Sequence, residues 1–257
     1  MEGFRGRLID LWAIMEGERV LEVGCGQGDA TAVLADRVGP TGAVLAIDSA
    51  GRDYGAPATL GACLDGLRGS KLGPRIDVRL ETEIEDVKRS ECDGALDRVV
   101  MVHASWYLAS RERLVDVLRR ARELAPLLCL SDWDLVPTRT RQFGHYAAIV
   151  FQMQARALSL LPEGNVRTPL SRAETREAVV DAGWTPIAEG SIDTSDEPDG
   201  DWEVATALDV APDAITRAAQ AGRSAWSVWL HTQQDVLLQA RQGGVAALDS
   251  WWLTAQQ

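Results

Sequence analysis

The sequence predicts an α/β fold, in which helices cover both faces of an open, doubly wound and mainly parallel sheet. Residues 20–23 are largely apolar and lead directly into a glycine-rich turn and a helix-forming segment, as a buried strand does when it turns into a helix. Residues 99–102 are continuously apolar, which is typical of a strand buried on both faces. The length of 257 residues fits one large α/β domain better than two small ones.

Strand and helix patterns alternate along the chain. Leu8, Leu11 and Trp12 have helical spacing, and Ser171 with Glu174 forms a capping-box sequence. The predicted strands are 20–23, 43–47, 76–80, 97–102, 127–130, 184–192 and 250–255. The predicted helices are 4–15, 29–38, 59–67, 110–125, 142–158, 168–183, 212–221 and 225–241.

Three glycines, Gly24, Gly26 and Gly28, alternate with other residues in the turn after the first strand. Glycine allows the backbone to approach a ligand at the amino terminus of the next helix, where free N–H groups and the helix dipole provide a polar site. In the dinucleotide fingerprint the third glycine comes one position later, where this chain has Asp29. The spacing therefore argues against a nicotinamide or flavin enzyme.

An acidic residue, Asp48, follows the second predicted strand, where a carboxylate can accept hydrogen bonds from both hydroxyls of a ribose. Glu22, Gly24, Gly26 and Gly28 match the first motif of class I S-adenosylmethionine-dependent methyltransferases, a family that the chain resembles. The resemblance implies S-adenosylmethionine as the cofactor and Asp48 as the ribose-binding residue. It also implies a Rossmann-like sheet of seven strands, mostly parallel, with an antiparallel last strand and helical lid insertions. The predicted cofactor-binding residues are Glu22, Gly24, Cys25, Gly26, Gln27, Gly28, Asp48, Ser49, Thr82 and His103.

The ends of the fourth and fifth strands carry the candidate chemistry, because ligands of open parallel sheets lie beyond the carboxyl ends of the strands. His103 and Asp132 follow these strands, and His145 lies on the predicted helix after them. We assign these three as the candidate catalytic residues, with a histidine as the general base and Asp132 either holding the acceptor or orienting the imidazole ring. A role for His103 in binding the cofactor or bracing the loop stays open. The predicted acceptor-binding residues are aromatic, namely Tyr54, Trp106, Tyr107, Trp133, Phe143 and Tyr146.

The predicted organisation is a single methyltransferase domain over residues 1–257, although only residues 20–48 carry specific motifs. A lid insertion is predicted from about residue 138 to 161, and a helical insertion is predicted from about residue 201 to 242. An ordinary amphipathic helix is an equal alternative for the lid. Residues 181–213 contain acidic side chains and no Lys or Arg, which suits either a cationic acceptor or a solvated loop.

Composition excludes several partners. The net charge is −12 and no basic tract is present, which argues against nucleic-acid binding. The four cysteines, Cys25, Cys63, Cys92 and Cys129, have no metal-ligand spacing and are predicted to be reduced, so no metal is expected. Without a signal or membrane-spanning pattern, the prediction is a cytoplasmic protein with no membrane partner, as a monomer or a homodimer.

The predicted function is methyl transfer from S-adenosylmethionine to an oxygen or nitrogen of a small molecule. Two alternatives stay open. One is a protein that binds S-adenosylmethionine without transferring its methyl group, as a cyclase or a structural subunit, because one fold hosts unrelated functions. The other is a methyltransferase of macromolecules, which the acidic charge disfavours. Residues 103–106 also lack the Asn/Asp-Pro-Pro-Tyr type of tetrad associated with methylation of adenine or glutamine amides.

Overall fold

The computed structural model describes residues 3–89, 95–161 and 166–257, so that Cys92 lies outside the described residues. The strands are β1 (Arg19–Val23), β2 (Ala43–Ile47), β3 (Ile76–Arg79), β4 (Arg98–Val102), β5 (Leu127–Trp133), β6 (Thr185–Ile192) and β7 (Ser250–Gln256). The α-helices are α1 (Phe4–Leu11), α2 (Asp29–Arg37), α3 (Leu60–Arg68), α4 (Arg111–Leu124), α5 (Phe143–Ala157), α6 (Arg172–Asp181), α7 (Asp199–Gln220) and α8 (Ser224–Gly243).

The strands form one seven-stranded sheet in the order β3-β2-β1-β4-β5-β7-β6. The pairs from β3 through β5 are parallel, while β7 is antiparallel to both of its neighbours. The predicted fold class is therefore confirmed, including the antiparallel last strand. The winding direction reverses between β1 and β4, and this is the switch point at which open α/β sheets bind ligands.

Two apolar layers cover the sheet. One layer packs Leu114 and Leu118 of α4 and Val179 of α6 on one face. The other packs Leu8 of α1, with side chains of α2 and α3, on the opposite face. Each central strand contributes alternate residues to the two layers, which is why its sequence is apolar throughout.

Helices α5, α7 and α8 share a separate core. The prediction placed the start of α7 at Pro212, but the helix begins at Asp199 and contains Pro212 in its interior. Pro212 lacks an N–H and so forgoes one helical hydrogen bond. A buried stripe of small residues outweighs this loss by packing along the helix, and its members are Ala207, Ala211, Ala214 and Ala218.

Strand β5 is also longer than predicted, because it continues through Ser131 and Asp132 to Trp133. Antiparallel pairing with Ser250 and its neighbours in β7 satisfies the backbone of these three residues. None of the described helices is long and apolar enough to cross a lipid bilayer.

Candidate active site

The glycine-rich turn follows β1 at the switch point, and its three glycines have positive φ angles of +77° (Gly24), +51° (Gly26) and +88° (Gly28). A Cβ on Gly24 would lie 2.6 Å from the Cβ of Ala104, and one on Gly28 would lie 2.9 Å from Leu64. A Cβ on Gly26 would meet no protein atom within 4 Å. Gly24 and Gly28 thus allow close packing of protein against protein, whereas Gly26 faces open space at the amino terminus of α2.

Asp48, directly after β2, is tied to this turn. Its Oδ2 accepts a hydrogen bond from the N–H of Gly26 (2.9 Å), and its Oδ1 accepts one from the N–H of Ala50 (2.9 Å). A carboxylate offers about four acceptor positions, so two remain for ribose hydroxyls. The arrangement fits the predicted ribose contact and also gives Asp48 a role in shaping the turn.

Other predicted cofactor-binding residues surround Asp48. The backbone N–H of Thr82 donates to the carbonyl of Asp48 (3.0 Å), which brings the loop after β3 to the same edge of the sheet. Gln27 donates from Nε2 to the carbonyl of Ala58 (2.8 Å) and so joins the turn to the loop after β2. Ser49 is exposed beside Asp48. Direct contact of these side chains with a cofactor stays a prediction.

Glu22 is buried behind the turn and accepts a hydrogen bond from the hydroxyl of Thr31 at 2.5 Å. Burial raises the pKa of Glu22 to about 8, although the Thr31 bond opposes this shift. Burial likewise raises the pKa of the Cys25 thiol, which therefore stays protonated. Glu22 accordingly braces β1 against α2, and its predicted contact with the cofactor stays untested.

His103 follows β4 with a φ of +49°, an unusual backbone conformation for a residue other than glycine. Its ring stacks on Phe4 of α1 (centroids 5.2 Å apart) and lies against Trp133 of β5 (4.0 Å). Its Nε2 is 2.8 Å from the hydroxyl of Ser250. Burial, together with the positive charge of Arg5, lowers the pKa of His103 well below its usual value. The imidazole is therefore neutral and able to accept a hydrogen bond at neutral pH.

His145 is fully buried on α5. Its Nδ1 accepts a hydrogen bond from the backbone N–H of Leu248 (3.0 Å), so the proton of the neutral ring lies on Nε2. Burial lowers its pKa to about 3. Neither ring nitrogen of His145 then has a free lone pair that could take up a proton. This arrangement contradicts the predicted role of His145 as a base. His145 instead packs against the edge of Trp133.

Asp132 is also buried, but it contacts neither histidine through a hydrogen bond. Its Oδ2 accepts from the Ser105 hydroxyl, and its Oδ1 accepts from the N–H of Trp133 (3.0 Å). Burial raises the pKa of Asp132 to about 6. The predicted role in orienting an imidazole is therefore not supported, because β5 continues through Asp132 and directs its side chain to the loop after β4.

Five of the six predicted aromatic residues divide into two groups, and the sixth, Tyr54, is 50 % exposed in the loop after β2. Trp106 and Trp133 are buried with centroids 6.3 Å apart, and Tyr107 contacts Trp106 edge-on. Phe143 and Tyr146, at the start of α5, are 56 % and 37 % exposed. The structure shows no ring contact between these two and the tryptophans within the described residues. The first group therefore lies beside His103, and the second lies mostly at the surface.

The sequence did not predict a buried polar pair that joins α5 to α7. Glu203 of α7 is 9 % exposed and accepts a hydrogen bond from Nε2 of Gln152 on α5 (2.6 Å). Partial burial raises the pKa of the Tyr107 phenol, and the charges of Glu203, Tyr54 and Asp199 add to the shift. Glu203, Tyr54 and Asp199 are therefore near enough to Tyr107 for their charges to act on its phenol. The helical spacing of Asp199 and Glu203 was a signal in the sequence, but it was hidden by the misplaced start of α7.

Comparisons with known proteins agree with this geometry. A family model described as protein-L-isoaspartate(D-aspartate) O-methyltransferase matches residues 4–52, which run from α1 through the loop after β2. A search of curated protein sequences finds no match. A cyclopropane-fatty-acyl-phospholipid synthase-like protein from Lactobacillus casei is 30 % identical over 98 % of this chain and 89 % of its own, with a TM-score of 0.83.

More distant structures share the fold. The mycolic acid cyclopropane synthase CmaA1, crystallised with S-adenosylhomocysteine and CTAB, is 16 % identical over 98 % of this chain and 82 % of its own, with a TM-score of 0.55. A sarcosine dimethylglycine methyltransferase-like protein from Galdieria sulphuraria is 13 % identical over 98 % and 84 %, with a TM-score of 0.54.

The fold, the glycine-rich turn and the acidic residue after β2 define the class of enzymes that bind S-adenosylmethionine at the switch point of a seven-stranded sheet. The chain belongs to the class I S-adenosylmethionine-dependent methyltransferases. It is an enzyme, and its cofactor is S-adenosylmethionine. The open space at Gly26 and the free acceptor positions of Asp48 fit this cofactor.

Proposed function

We propose that the protein transfers a methyl group to an oxygen or nitrogen of a small-molecule acceptor. The observation that carries the proposal is the buried, hydrogen-bonded pair of Gln152 and Glu203, and the charge of Glu203 also acts on the Tyr107 phenol. Burying a carboxyl and an amide in a helical core is costly unless they are hydrogen-bonded. A polar acceptor with a hydroxyl or amino group would bind such a wall far better than a hydrocarbon would.

S-adenosylmethionine supplies a methyl group on a positively charged sulfonium, which is open to direct displacement. The residues around it need mainly to align the acceptor and to exclude water. Trp106 and Trp133 supply rigid apolar walls beside His103, and Phe4 covers the histidine from α1. His103, neutral at pH 7, is the candidate that accepts a proton from the acceptor.

Transfer to carbon is the second candidate, because the Lactobacillus casei protein is described as cyclopropane-fatty-acyl-phospholipid synthase-like. An acyl chain requires an apolar surface along its length. Gln152 and Glu203 form a polar pair between α5 and α7, which would interrupt such a surface there and favours the oxygen or nitrogen acceptor.

The test is a screen with isotopically labelled S-adenosylmethionine. One set of acceptors contains small amines, phenols and alcohols, and the other contains vesicles of monounsaturated phospholipid. Mass spectrometry should find label on the oxygen or nitrogen of a small molecule, and the Gly26→Val variant should give no product. Label recovered only in lipid carbon would refute the proposal.

The role of His103 has its own test. His103→Ala should lower kcat by about 10²-fold, in line with general-base contributions, while S-adenosylhomocysteine affinity changes little. His231, exposed on α8, provides the control, and His231→Ala should change neither quantity. Normal turnover by His103→Ala across the pH range would show that alignment alone accounts for the reaction.

A further inference from the structure

We propose that Ser250 and Thr194 are positioning residues that hold His103 in one neutral tautomer, with the proton on Nε2 and the lone pair on Nδ1. Ser250 begins β7, and Thr194 follows β6, so both are far from His103 in sequence. Their hydroxyls are buried, with exposed fractions of 0 % for Ser250 and 2 % for Thr194. A catalytic role for the free Nδ1 rests on the proposed function, whereas the tautomer itself does not.

The direction of the hydrogen bonds in the series His103, Ser250, Thr194 follows from the contact that Thr194 makes with the backbone. The oxygen of Thr194 is 2.5 Å from the carbonyl oxygen of Leu248. A carbonyl only accepts, so the single hydroxyl proton of Thr194 lies in this contact. Thr194 therefore has no proton to donate to Ser250, which is 3.4 Å away.

The remaining protons follow from this constraint. A hydrogen bond between the two hydroxyls must use the proton of Ser250, because that of Thr194 is already used. Ser250 then has no proton for His103, whose Nε2 lies 2.8 Å from its oxygen. The ring itself must donate, and Nε2 carries the proton. All three links then run in one direction, from His103 through Ser250 and Thr194 to the backbone of Leu248.

The other tautomer, with the proton on Nδ1, breaks this series of hydrogen bonds. Ser250 would donate to Nε2, and the oxygens of Ser250 and Thr194 would face each other without a hydrogen between them. Both oxygens belong to buried residues, so water does not replace the missing bond.

The surroundings keep the ring neutral and fixed. Phe4 and Trp133 contact the ring, and the backbone N–H of His103 donates to the carbonyl of Ser131 (2.8 Å). Besides burial, the positive charge of Arg5 from α1 opposes a charge on His103, whereas His145 from α5, which also faces the ring's surroundings through Trp133, is itself neutral. Nδ1 has no hydrogen-bond partner within the part of the chain that the structure describes. Its lone pair is therefore available to the hydroxyl or amino group of the molecule that receives the methyl group.

The tautomer is measured directly by ¹⁵N NMR of the histidine-labelled full-length enzyme, which distinguishes a protonated ring nitrogen from a bare one. Comparison with His103→Gln assigns the signals of His103. We expect a protonated Nε2 and a bare Nδ1 in the wild type. Thr194→Val keeps the shape of the side chain but removes the acceptor of Ser250, so the proton of Ser250 should turn to Nε2 and the tautomer with Nδ1–H should appear.

Matched variants separate this effect from general damage. Thr194→Ser retains the hydroxyl and should keep the wild-type tautomer. Ser131→Ala removes another buried hydroxyl of the sheet, one that donates to the carbonyl of Trp251 and not to His103, and should also keep it. If Thr194→Val reduces the tautomer with a bare Nδ1 to about one tenth, kcat/KM for the methyl acceptor should fall about tenfold, because this ratio follows the fraction of enzyme in that tautomer.

Two outcomes overturn the proposal. One is a wild-type enzyme with the proton on Nδ1, and the other is an unchanged tautomer in Thr194→Val. A tautomer that shifts as expected while kcat/KM stays constant supports the positioning role and refutes only the general base of the proposed function.

Discussion

Replacing Gly26 by alanine tests where the cofactor binds. The added Cβ would meet no atom of the described residues within 4 Å, so the substitution produces no clash with them. The positive φ of +51° remains a cost, because an L-residue in this conformation loses about 1–2 kcal/mol. We therefore expect Gly26→Ala to remain folded, with the free energy of unfolding lowered by about that amount.

Cofactor binding should suffer more than stability. If S-adenosylmethionine lies against Gly26, the methyl group of alanine occupies its space, and overpacking of this kind typically costs about 1–3 kcal/mol. That range corresponds to a rise in Kd of roughly 5- to 150-fold. Isothermal titration calorimetry with S-adenosylhomocysteine measures Kd, and urea unfolding measures the stability of the same sample.

Gly222 offers a matched control, because it has a φ of +71° and also has open space at its Cβ position. It lies between α7 and α8 and takes no part in the candidate site. Gly222→Ala should show a similar loss of stability with an unchanged Kd. A folded Gly26→Ala protein that binds S-adenosylhomocysteine as tightly as Gly222→Ala would refute the placement of the cofactor on this turn.

The other predictions concern buried and half-buried polar groups. Asp48→Ala should weaken S-adenosylhomocysteine binding by about 1.5–3 kcal/mol for each charge-assisted bond lost, whereas Asp53→Ala, farther along the same loop, should not. Asp132, with its pKa raised from 3.8 to about 6, stabilises the fold fully below about pH 4 and loses that contribution, at most about 3 kcal/mol, as the pH rises through 6. Unfolding curves of Asp132→Asn should lack this dependence. His145→Leu should lower Tm, because a buried backbone N–H loses its acceptor, but should leave the pH profile of kcat unchanged.

Each of these three predictions would be contradicted by a specific result. Equal affinities of Asp48→Ala and Asp53→Ala would remove the ribose contact. A stability difference between wild type and Asp132→Asn that is constant from pH 4 to about pH 7 would show that Asp132 ionises normally. A shift in the pH profile of kcat in His145→Leu would return His145 to the candidate bases.

Patterns within a few residues of one another were enough to predict most of the fold. Strand β2 has the predicted limits, and Ser171 with Glu174 caps α6 as the sequence indicates. The turn from Gly24 to Gly28 was also predictable, because glycine spacing reflects a backbone requirement at the site itself. The start of α7 was not, since a local rule makes Pro212 a favoured helix start and the alanine stripe that overrides it acts through packing with α5 and α8.

The sequence by itself determined the methyltransferase class, the cofactor and the edge of the sheet that carries the candidate site. Only the tertiary structure decided which polar residues surround that edge. Among the described residues, Nδ1 of His103 has no hydrogen-bond partner, whereas Nδ1 of His145 accepts a bond from the backbone of Leu248. The fold also joins His103 to Ser250, 147 positions later in the chain. Such contacts depend on how β7 inserts beside β5, and no periodicity or spacing along the chain encodes them.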